Sequence, residues 1–83
     1  MNLSPDVIVT ETDTGTVLLD ERTGRYWTLN PTGGAVLRLL VDGRTPEEAA
    51  GELARRHPAF ADRIAQDVRA LVGSLLEEKV MVP

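Results

Sequence analysis

The hydrophobic pattern of the chain changes once, at Asn30-Pro31, and that single switch restricts the fold more than any other feature. Before it lie three short runs rich in β-branched and aromatic residues: Val7-Ile8-Val9-Thr10, Thr16-Val17-Leu18-Leu19 and Arg25-Tyr26-Trp27-Thr28-Leu29. Asp13-Thr14-Gly15 and Asp20-Glu21-Arg22-Thr23-Gly24 separate them, so the pattern predicts an antiparallel meander. After it the apolar residues recur at helical spacing. Asn30 is a natural N-cap and Pro31 a natural first helical residue, because proline supplies a helical φ where no N–H partner is required. Val36, Leu37, Leu39 and Leu40 form the first stripe, which Gly43 stops. Thr45-Pro46-Glu47-Glu48 opens a second helix with Thr45 and Glu48 spaced as a capping box. Its buried face is Ala49, Ala50, Leu53 and Ala54, and His57-Pro58 ends it. A third helix runs from about Phe60 to Glu78 on the stripe Ile64, Val68, Leu71, Val72 and Leu75, and Val80-Met81-Val82 can pack back onto the body.

The predicted order is therefore three strands, then three helices. That is an α+β fold of winged helix-turn-helix type, with 83 residues fitting one domain over 1–83. There are no cysteines, which removes disulfides and thiolate metal sites. The first residues, Met1 to Asp6, lack the basic-then-apolar build of a signal peptide, and no apolar run approaches the ~20 residues of a membrane span. The expectation is a soluble, cytoplasmic chain without membrane partners.

Little in the sequence points to catalysis. His57 is the only histidine and precedes a proline at a predicted helix end, where charge–dipole complementarity or exposure explains it. Ser4 and Ser74 are the only serines, and neither sits in a nucleophile pattern. Asp13-Thr14-Gly15 lacks the alternating ligands and closing Glu of a calcium loop, and Gly33-Gly34 belongs to no phosphate-loop motif. We read the chain as a non-enzyme, with no cofactor and no metal. A net charge of −4 also argues against nucleic acid. A DNA-reading helix needs Arg, Lys, Asn or Gln on its exposed face, whereas the helix after Gly43 begins with Glu47 and Glu48. Only Arg22 and Arg25 form a wing-like basic pair.

Peptide binding remains. If strand order follows sequence order, residues 25–29 form a sheet edge whose backbone can pair with an incoming chain. Alternation puts Trp27 and Leu29 on one face and Tyr26 and Thr28 on the other. The more apolar pair should cover the helices, leaving Tyr26 more exposed, although both rings merely packing on their neighbours is an equally open reading. At ~100° per residue, Arg63, Asp67, Ala70 and Ser74 flank the third helix's core stripe. Asp67 can accept from a peptide N–H, Lys or Arg, or simply pair with Arg63 or Arg69 as a solvated helix charge.

The stretch "RYWTLNPTGGAVLRLLVDGRTPEEAAGELARR", followed by "DVRALVGSLLEEKVM", resembles the PqqD family across nearly the whole chain. The shared pattern is an aromatic pair, Leu-Asn, a small residue, Gly and an apolar helix. Gly-x-Thr-x-Glu-Glu and Asp-Val-x-x-Leu-x-x-x-Leu follow. "GTVLLDERTGRYWTLNPTG" is similar in particular to the standalone PqqD-like proteins of lasso-peptide biosynthesis.

The resemblance implies a recognition element that binds the leader of a ribosomally made precursor as a strand added to the third strand, under the third helix. Mapped here, the binding residues are Arg25, Tyr26, Trp27, Thr28 and Leu29 on the strand. On the helix they are Arg63, Asp67, Ala70, Leu71, Ser74 and Leu75. Tyr26 with Leu71 and Leu75 would grip apolar leader side chains; Arg25, Arg63 and Asp67 would select charge. The implied partners are a lasso-precursor leader peptide and a separate leader peptidase of cysteine-protease type. The second helix, with Glu47, Glu48, Glu52, Arg55 and Arg56, is one surface for that enzyme, or just a solvated face. The alternatives are a PqqD-like chaperone serving a radical SAM or other modifying enzyme and, from another class, a winged-helix DNA-binding protein. An exposed third strand could also pair with its own copy.

Overall fold

The computed structural model describes all residues, 1–83. Strands β1 (Asn2–Leu3), β2 (Val7–Thr12), β3 (Gly15–Asp20) and β4 (Tyr26–Leu29) precede helices α1 (Pro31–Val41), α2 (Pro46–Arg56) and α3 (Ala61–Glu77). A single 3-10 turn, Pro58–Phe60, joins α2 to α3, and β5 (Met81–Val82) closes the chain. β2, β3 and β4 form an antiparallel sheet in sequence order, so β4 is an edge as expected.

Local chemistry sets the boundaries. The Asn30 side chain accepts from the Gly33 N–H at 2.8 Å with Pro31 in the first helical position. Gly43, at φ +95°, follows the end of α1. Thr45 and Glu48 complete a reciprocal capping box: Glu48 N–H donates to Thr45 Oγ1 at 3.1 Å, and Thr45 N–H donates to Glu48 Oε1 at 2.9 Å. Those bonds, with Arg44 nearby, hold the Glu48 carboxyl below its ordinary 4.5. Gly15 and Gly34 mark close approaches: a Cβ on Gly15 would lie 2.0 Å from the Leu29 carbonyl oxygen, and one on Gly34 would lie 2.3 Å from Thr16 Oγ1. α1 is thus seated directly on β3, and the β2–β3 turn directly on the end of β4.

The core sits between the inner sheet face and the helices. Leu18 from β3 meets Val36, Leu37 and Leu40 from α1, Ala49 and Leu53 from α2, and Ile64, Val68 and Leu75 from α3. Burying such a side chain contributes roughly 1.5–3 kcal/mol. Val7 from β2, with Val80 and Met81, completes this core. Met81–Val82 does more than pack back: it pairs with Asn2–Leu3 as a second, two-stranded sheet, and the Ser4 hydroxyl donates to the Lys79 carbonyl. That pairing has no signal in the sequence pattern, since each strand is only two residues long. No helix is long and apolar enough to cross a membrane.

Candidate functional site: an open strand edge beside a two-chambered groove

The hydrogen-bond phase of β4 decides what its edge offers. Asp20 N–H donates to the Arg25 carbonyl at 2.8 Å, and the register continues as Leu18 opposite Trp27 and Thr16 opposite Leu29. In an antiparallel ladder the bonded pairs alternate, so Arg25, Trp27 and Leu29 turn their backbone groups toward β3. Tyr26 and Thr28 therefore turn theirs to the open side. Their side chains stand on the outer face of the sheet, where Tyr26 is 69% exposed. There Tyr26 continues a cross-strand row with Leu19 and Ile8, both exposed. Trp27 and Leu29 face inward, half-buried against the core.

Between this edge and α3 runs a groove with two chambers. The larger, about 520 Å³, lies toward the start of α3, between Thr28, Leu29 and Asn30 on one side and Arg63, Ile64, Asp67, Val68 and Leu71 on the other. Buried Leu53 also lines it, and the exposed His57 and Phe60 lie at its surface. The smaller, about 150 Å³, lies between Trp27 and the Leu71–Ser74–Leu75 side of α3, and ends at Glu78 and Val80. Thr28, Leu29 and Leu71 line both chambers, so the two adjoin along one channel.

Trp27, Thr28, Leu29, Arg63, Asp67, Leu71, Ser74 and Leu75 all line this channel. Three expected site residues stand elsewhere. Tyr26 is on the outer sheet face. Arg25 lines neither chamber; it pairs with Glu78 at 2.7 Å and stacks over Trp27 at 5.3 Å from the ring centroid. Ala70 is exposed and lines neither chamber. On α3 it lies roughly 20° beyond Arg63, away from the stripe, and its single carbon does not reach back as an arginine can. Arg63 and Asp67 pair with each other across one turn at 3.7 Å, both well exposed, a contact worth little to stability. Sequence reasoning missed His57 and Phe60. Both read as punctuation between helices, yet the 3-10 turn swings the chain's only phenylalanine, 59% exposed, to the groove. A large apolar residue at a helix boundary was the available signal.

The sequence profile of Coenzyme PQQ synthesis protein D (PqqD) matches residues 15–81. The chain belongs to the PqqD family. Two solved structures extend the likeness. One is a lasso peptide synthetase B1 complexed with the leader peptide, 38% identical, TM-score 0.87, covering 99% of this chain and 96% of that one. The other is TbiB1 in complex with the TbiA(beta) leader peptide, 26% identical, TM-score 0.84, covering 96% of this chain and 93% of that one. No curated protein sequence matches. Within this PqqD-family fold, the open β4 edge and the channel are the one place where unpaired strand backbone lies beside an apolar cavity of ligand size.

Proposed function

We propose that this PqqD-family chain is a non-catalytic recognition element for the leader of a ribosomally synthesised precursor, of the lasso-peptide class. It binds the leader by β-strand addition and presents it to a separate leader peptidase of cysteine-protease type. The open edge of β4, uncapped and beside the channel, is the observation that carries this reading. The two similar proteins that are complexed with leader peptides add support.

The geometry divides the work. Tyr26 and Thr28 offer two N–H and two C=O groups to an incoming strand. These bonds are blind to sequence and supply affinity. Alternate leader side chains then point inward: a bulky apolar one fits the larger chamber against Leu29, Phe60 and Leu71, and a small one fits against Trp27 and Ser74. The outward ones lie beside Tyr26, extending the row that Leu19 and Ile8 begin, as cross-strand pairs do. The chain contributes no chemistry in this reading. The channel holds one histidine and no cysteine, and no cluster of three or more potential metal ligands occurs anywhere.

Fluorescence polarisation with the labelled leader of a lasso precursor encoded beside this chain tests the proposal. Saturable binding that Thr28→Pro abolishes, in a variant still folded by circular dichroism, supports strand addition. No binding by folded wild type to that leader, but binding to the precursor of a radical SAM enzyme, would move the chain to the chaperone alternative.

A further inference from the structure

Six ion pairs are formed, and five stay within one helix, one turn or the β2–α1 contact. The sixth, Arg25–Glu78, is the one that joins the two walls of the channel. Glu78 itself lines the smaller chamber.

The two halves of this clasp are held unequally. Arg25 is anchored twice, by Glu78 and by the Trp27 ring beneath it. Glu78 caps the C-terminal end of α3, just after Glu77, with no basic residue in the helix's last turn. Carboxylates at the negative end of a helix are unfavourable to it. Helix stability therefore does not account for Glu78, whereas the contact with Arg25 does. The guanidinium has five donors in a planar fork, and the contact to Glu78 runs through one nitrogen.

A strand lying along β4 meets this clasp as it passes Trp27. A basic leader side chain would have to displace Arg25 from two partners. An acidic one needs only to replace Glu78. We propose that Arg25 is the channel's carboxylate reader and that Glu78 is its built-in competitor. A leader with an acidic residue at this end takes Arg25 over from Glu78, while a leader without one leaves the Arg25–Glu78 pair in place. The inference rests on the leader-binding reading and names what that site selects for.

The test uses the full chain and the fluorescein-labelled leader peptide, together with the same peptide carrying Asn and Gln for every Asp and Glu. Dissociation constants are measured for wild type, Glu78→Gln, Arg25→Gln and the double variant. Removing the competitor tightens binding of the native leader by about two- to fivefold, the scale of a partly exposed ion pair. That gain disappears in the Arg25→Gln background and with the acid-free leader. Binding by wild type with no gain in folded Glu78→Gln overturns the competitor role alone. So does a gain that survives Arg25→Gln, whereas tight binding of a leader that has no acidic residue overturns the carboxylate-reader role of Arg25. No binding of the native leader by wild type overturns the leader reading, and this inference with it.

Discussion

The central sheet has two edges, and they are finished differently. On β2, the phase set by Glu21 N–H donating to the Asp6 carbonyl leaves Val7, Val9 and Glu11 facing outward. That edge is defended. The Val7 N–H is already used by the Ser4 carbonyl at 3.1 Å, and Glu11 pairs with Arg38 reaching across from α1. Pro5 and Asp6 stand at one end and Asp13 at the other. These are familiar ways of discouraging an unwanted strand. On β4 there is no charge and no proline between Tyr26 and Leu29. A chain that guards one edge with charge and leaves the other uncharged, beside a cavity, fits the proposal that the second is used for pairing.

The sharpest way to break this comparison is to place proline on each edge in turn. Thr28→Pro removes an N–H that faces outward rather than toward β3, and Val9→Pro does the same on β2. Both residues before the prolines, Trp27 and Ile8, are already extended, so neither substitution disrupts the ladder. Thr28→Pro should weaken leader binding by about tenfold or more, roughly 1.4 kcal/mol or above. Val9→Pro should leave it unchanged. Equal losses from both would make the edges equivalent and sink the argument.

Next in size is Gly15→Ala. Its φ of +149° strains any side chain, and the added Cβ would press on the Leu29 carbonyl. The cost should be about 1–3 kcal/mol in urea denaturation, with weaker leader binding because the end of β4 moves.

Stripping the guard from β2 sharpens the contrast further. The pair Glu11→Val and Arg38→Ala should produce concentration-dependent association in sedimentation velocity, even when saturating leader occupies β4. A protein that stays monomeric would show that charge is not what protects β2.

The smallest expected effect is a control far from both edges. Thr45→Ala should cost about 1 kcal/mol of stability through the lost cap, with leader affinity intact. The acid side of the same box titrates. Glu48 is held below its ordinary 4.5, so its contribution is complete above that pH and fades as pH falls through the lowered value. The difference in melting temperature between wild type and Glu48→Ala should therefore shrink in acid.

What the sequence revealed and what it hid follow from the range of each interaction. The caps at Asn30 and Thr45 are satisfied within three residues, so they could be read directly. The inward placement of Trp27 and Leu29 followed from alternation and one buried face. Trp27 is accordingly both a neighbour of the core and a wall of the smaller chamber. The pairing of Asn2–Leu3 with Met81–Val82 depends on contacts between the far ends of the chain and left no periodic trace. Likewise the helical period placed Arg63, Asp67, Leu71, Ser74 and Leu75 on the channel. It also sets Ala70 about 20° farther from the stripe than Arg63, but it could not show that a single 3-10 turn would bring Phe60 and His57 to the groove.

The alternation of β4's backbone groups has a consequence for whatever is read there. Only every second residue of a paired strand would be inspected by a chamber, and the backbone contacts would ignore identity altogether. The remaining positions meet only the outer row of Tyr26, Leu19 and Ile8, so precursors of quite different appearance can share one reader provided a few well-spaced side chains are kept. Innovation in the peptide would then cost the reader nothing.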